Sequence, residues 1–156
     1  MTSWLPLTVR DQDIRMRKRW KTLRAVEYDP RLERIVWRGS LHPRFDEYVV
    51  EIEYSMDMVV EGPRVRVKSP ELIRQPGNPE GSLPHVYQRD TDPYLCLFDP
   101  RKVEWTGWMS VADTTVPWTI NWLTCYEDWL LTGEWHGGGR HVTAPIGSSF
   151  NLENFA

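Results

Sequence analysis

The segment from Thr115 to Leu131, TVPWTINWLTCYEDWLL, constrains this chain more than any other. Thr115 and Pro117 open a helix, because proline fits the first turn, where its missing N–H costs nothing. At helical spacing Trp118, Trp122, Cys125 and Trp129 fall on one face, and Ile120, Leu123, Tyr126 and Leu130 cover another. A helix apolar over so much of its circumference must be buried. The remaining chain is therefore expected to wrap it, with Cys125 in the core.

The wrapping reads as sheet. Leu32–Gly39 contains Ile35, Val36 and Trp37, and Tyr48, Val50, Ile52 and Tyr54 alternate with Glu51 and Glu53. Between Pro63 and Lys68, Val65 and Val67 alternate with Arg64, Arg66 and Lys68. Short connections carrying His42-Pro43 and Glu61-Gly62-Pro63 point to an antiparallel meander. Upstream, Thr8 and Asp11 give a capping signal, and Met16, Trp20 and Leu23 recur at helical spacing, which predicts a helix from about 8 to 24. Its Arg10, Arg15, Arg17, Lys18, Arg19, Lys21 and Arg24 read most simply as a solvated face, with partner docking as the alternative.

The stretch 69–84 is rich in proline and glycine and is expected to be irregular, as is a Trp-rich loop over 99–116. Four of the nine tryptophans lie between Trp105 and Trp122, and a core filled with large aromatics accounts for them better than a binding platform does. Beyond the buried helix comes TGEWHGGGRH, whose Gly137 to Gly139 permit close backbone approach. The expectation is one domain over 1–156, with a core of about 8–141 and a loose tail over 142–156.

Several function classes are disfavoured. A net charge of −3 gives no general pull toward nucleic acid. No apolar run approaches the ~18 residues that span a bilayer, and the N-terminus shows no signal-peptide pattern. Two cysteines without paired spacing suit a reducing cytoplasm. No phosphate-cradling Gly-Lys loop and no G-x-G-x-x-G are present, so no nucleotide cofactor is expected. His136 to Gly139 lack the G-x-S-x-G serine of a lipase-like site, and no C-x-x-C or H-E-x-x-H supports a metal.

The one strong candidate nucleophile is Cys96, in LPHVYQRDTDPYLCL from Leu83 to Leu97. In an extended segment Leu95 and Leu97 share one side and Cys96 takes the other, so inward leucines present the thiol outward. Alternatively the cysteine is core filler, as free cysteines commonly are. A working thiol needs a positive or hydrogen-bonding neighbourhood, which His85, His136 and His141 can supply from loops at the same sheet end. Asp92 and Asp99 flank the cysteine, and beside Pro93 and Pro100 such acidic residues are common turn formers.

The order helix, meander, Pro-rich stretch, proline-aromatic turn, cysteine, tryptophan and long helix resembles the ubiquitin-conjugating enzymes. The likeness spans about residues 8–132 and is sharpest in Leu83-Pro84-His85-Val86-Tyr87, Leu95-Cys96-Leu97 and Trp105. It implies an α+β fold with an N-terminal helix, a four-stranded antiparallel meander, an active-site loop holding the cysteine, and a long buried helix. Leu83 stands where the family has histidine, and His85 where it has the oxyanion-stabilising asparagine. A histidine there can donate to developing negative charge or act as a base toward the amine.

These departures, with the terminal GEWHGGGRH, look like the stand-alone bacterial branch found in cyclic-oligonucleotide antiphage (CBASS) operons. The resemblance implies a cysteine-dependent transferase without cofactor or metal. Cys96 would form a thioester with the C-terminus of a partner, a cGAS-like cyclic-nucleotide synthase, and pass it to a lysine. Cys96 and His85 would be catalytic, with His136, His141 and Asp99 as supporting candidates. A cysteine peptidase acting on the partner's C-terminus and a non-catalytic scaffold are the alternatives.

Overall fold

The structure, a computed structural model, describes residues 5–58, 61–98, 102 and 104–136. Helix α1 runs Val9–Arg19. The Thr8 side-chain oxygen accepts from the Asp11 N–H at 3.0 Å, while the Asp11 carboxylate accepts from the Thr8 N–H at 3.1 Å. This reciprocal pair satisfies two donors that a helix start leaves open.

The helix stops at Arg19 rather than near residue 24. Trp20 leaves it with extended backbone, its indole donating to the Ala112 carbonyl at 2.7 Å, and Leu23 drops into the core. Tertiary contacts thus override a periodicity that continued through Leu23. Arg24–Asp29 instead forms β1, an almost wholly exposed edge strand whose ladder slips between Ala25 and Glu27.

Strand β1 pairs antiparallel with β2 (Arg34–Leu41), β2 with β3 (Tyr48–Ser55), and β3 with β4 (Arg64–Ser69). The order β1-β2-β3-β4 is the expected meander. Tyr48, Val50, Ile52 and Tyr54 of β3 all face inward, with Trp37 opposite Ile52 and Ile35 opposite Tyr54. On the outer face Arg38 meets Glu51 at 2.6 Å, and Arg34 meets Glu53 at 2.7 Å. Gly39 lets the turn after α1 lie on the sheet: a Cβ there would sit 1.8 Å from the Thr22 carbonyl oxygen.

Helix α2, Thr115–Thr132, shares one core with the sheet, and Cys125 is buried as expected. Trp37, Trp105 and Trp129 are fully buried, whereas Trp108 is 57% exposed. Two of the buried polar side chains tie separate elements together. Gln12 joins α1 to the loop before α2, donating to the Met109 carbonyl at 2.8 Å and accepting from the Val111 N–H at 2.9 Å. Glu127, from α2, receives the backbone N–H groups of Arg44, Phe45 and Asp46 in the β2–β3 connection.

Gly133 ends α2 in the left-handed region at φ 78°, its N–H bonded to the Trp129 carbonyl at 2.8 Å. No helix among the described residues is long and apolar enough to cross a membrane. The expected tail over 142–156 and the glycines 137–139 lie outside the described residues.

Candidate active site

The Pro-rich stretch after β4 has few backbone partners of its own, so α2 holds it. The Tyr126 hydroxyl accepts from the Ile73 N–H at 2.7 Å, and the Asn78 amide donates to the Gly133 carbonyl at 2.8 Å. This brings His85 onto α2, where the Trp122 indole donates to the His85 carbonyl at 2.9 Å. The same carbonyl accepts from the Cys96 N–H at 2.9 Å. One oxygen therefore joins the buried helix to the cysteine segment. His85 itself takes φ 56°, a left-handed conformation uncommon outside glycine and one that clusters at functional sites.

Between His85 and Cys96 the chain makes a small hairpin, β5 (Val86–Tyr87) against β6 (Tyr94–Leu95). Tyr87 pairs with Tyr94, and their rings stack with centroids 5.0 Å apart. From β4 the Arg64 and Arg66 guanidiniums lie over the Tyr94 ring at 5.0 and 5.4 Å. Arg66 also bonds Asp92 at 2.9 Å, so Asp92 fastens the hairpin to the sheet.

Cys96 is 4% exposed, not turned outward. The alternation argument needed an extended run through residue 97, but β6 ends at Leu95, and Leu95, Cys96 and Leu97 are all buried. The sulfur lies 3.5 Å from the Tyr87 hydroxyl and 3.6 Å from the Phe98 carbonyl oxygen. Tyr87 also lines an adjoining cavity of about 220 Å³, together with Pro63, Arg64, Tyr94, Leu97 and Phe98 among others. A largely apolar hollow thus opens beside the residue that touches the sulfur.

His85 is 7% exposed, and its ring packs on Trp135 with centroids 4.7 Å apart. Trp135 in turn packs on Trp122 at 5.2 Å, so three side chains brace the turn that carries the cysteine's backbone partner. His136 follows Trp135 but engages carboxylates: Nδ1 lies 2.8 Å from Asp128, and Nε2 lies 2.8 Å from Glu134. Glu134 first, and then Asp128, hold its imidazolium form and raise its pKa. His141 and Asp99 lie outside the described residues.

Composition gave no hint of Glu127 or of the Trp122 indole as polar partners. The only cue was their setting, since a carboxylate on an apolar helix needs donors from elsewhere. Tyr87 stood in the motif without a role of its own.

A family model described as Type II CBASS E2 protein matches residues 12–142. The chain belongs to this family. The matched span takes in most of α1, the whole sheet, the hairpin with Cys96, and α2. No curated protein matches the chain.

Proposed function

We propose that this CBASS E2 protein is a conjugating transferase whose Cys96 accepts the C-terminal acyl group of a partner and passes it to a lysine. The observation that carries the reading is the family match, which spans the segment holding Cys96. The polar contacts of the sulfur, and the cavity lined by the tyrosine that touches it, support it. The partner of this reading is the cyclic-nucleotide synthase of the same operon.

In the first step the thiolate attacks the acyl carbon. A C–S bond forms, and the amine of the peptide bond under attack departs and takes up a proton. In the second, a neutral lysine amine attacks the thioester, the C–N bond forms, the nitrogen gives its extra proton to a base or to water, and the C–S bond breaks to return the thiolate. Negative charge on the carbonyl oxygen in both steps calls for a nearby donor, and His85 is the candidate. His136, His141 and Asp99 are candidates for a supporting role toward the incoming amine.

The test mixes the protein with the synthase and follows intact mass. A covalent adduct reversed by a strong thiol is expected, lost in Cys96→Ala and made thiol-resistant in Cys96→Ser, where it is an oxyester. An adduct that persists in Cys96→Ala rejects the proposal. A clipped synthase without lysine-linked product makes the protein a peptidase instead. If Cys96→Ala leaves function intact and charge reversal at Arg15, Arg17 and Arg19 abolishes it, the protein is a scaffold.

A further inference from the structure

Resting on Cys96 as the working nucleophile, we infer that the Tyr87 hydroxyl is the hydrogen-bond donor that holds the Cys96 thiolate. The two atoms are 3.5 Å apart. With the thiol neutral, S–H donates to the phenol oxygen; once the proton leaves, the O–H turns and donates to the sulfur. Burial alone disfavours the charged form, because a covered thiolate has little water around it. A fixed donor opposes that effect. Of the Tyr87 hydroxyl and the Phe98 carbonyl, only the hydroxyl can donate.

Tyr87 is held where it can act. Its ring stacks on Tyr94, which lies under two guanidiniums, and Arg66 is further tied to Asp92. Such a support fixes the phenol oxygen against the sulfur while leaving the hydroxyl hydrogen free to rotate. The same ring forms part of the cavity wall, so the donor stands between that hollow and the buried sulfur's neighbourhood.

The experiment uses the full chain with Cys125→Ala, which leaves Cys96 as the single thiol. Alkylation by iodoacetamide is followed by intact mass across a pH series in this protein and with Tyr87→Phe or Tyr94→Phe added. Phenylalanine keeps the stack in either position. Losing one donor to an ionised sulfur should raise the midpoint in Tyr87→Phe by about one pH unit.

Because thiolate reactivity rises with basicity at a slope of about 0.4–0.5, the low-pH rates should fall roughly threefold to fourfold while the high-pH plateau rises about threefold. The two profiles therefore cross. A mere change in packing would scale the rates alike at every pH.

Tyr94→Phe should leave the midpoint in place. A Tyr87→Phe midpoint equal to that of the parent overturns the inference, whatever happens to the absolute rates. If the reagent does not reach the folded protein, thiolate absorbance in the same variants reads the same midpoint. A shifted midpoint in a protein that never takes up an acyl group would leave Tyr87's hold on the sulfur standing and remove the conjugation alone.

Discussion

Replacing Glu127 by glutamine tests how far one buried carboxylate organises the fold. The side chain is 4% exposed on an apolar helix, and both of its oxygens are occupied. Oε1 accepts from the Arg44 and Phe45 N–H groups, each at 3.2 Å. Oε2 accepts from the Asp46 N–H at 2.9 Å and from the Tyr48 hydroxyl at 3.1 Å. Burial, and then the charge of Glu127, push the Tyr48 phenol well above its usual pKa, so it remains a donor.

Glu127→Gln preserves volume but turns one acceptor into an amide that faces donors. Two lost charge-assisted bonds at about 1.5 kcal/mol each give a loss of about 3 kcal/mol. For a domain of this size that lowers Tm by roughly 9 °C. Urea unfolding followed by tryptophan fluorescence should show an earlier midpoint with an unchanged slope. A loss below about 1 kcal/mol would refute the argument, because the loop would then be held by its own turns.

Two other positions give independent checks. Gly39→Ala places a methyl group 1.8 Å from the Thr22 carbonyl oxygen, and forcing backbone apart by that much should cost about 3 kcal/mol or more; wild-type melting would contradict it. His136 should titrate above its ordinary value of 6.5 by NMR, and Glu134→Gln should bring the midpoint down. The sign follows from linkage: a raised folded-state pKa contributes stability that is fully present below the unfolded pKa and fades as pH rises through the folded one. An unmoved His136 midpoint in Glu134→Gln would mean the contact is too solvated to matter.

The elements that sequence periodicity located well are those with one buried and one solvated face. Strand β3 was legible because Tyr48, Val50, Ile52 and Tyr54 face the core while Glu51 and Glu53 reach arginines outside. Helix α2 was legible because little of its surface could face water. Strand β1 was not, since five of its six residues are exposed and the inward–outward contrast is missing. The end of α1 was hidden because Trp20 and Leu23 have helical spacing yet serve contacts to Ala112 and the core.

At the site the motif singled out Cys96 but could not orient it. That orientation depends on where a two-residue strand stops and on the Tyr87 hydroxyl nine residues upstream in the chain. No local pattern encodes either. His85 was named for its imidazole, yet its carbonyl makes the bond to the cysteine, an arrangement set by the left-handed turn and the Trp122 indole.

The slip in β1 between Ala25 and Glu27 bears on how copies of this molecule avoid one another in a crowded solution. An exposed strand at the rim of a sheet is a template onto which a neighbour can add its own, and long flat rims seed aggregates. Here a neighbour would find its ladder broken at Val26, with Arg24, Glu27 and Asp29 placing charge on either side of the break. An extra residue twists the rim out of plane and makes such growth unfavourable.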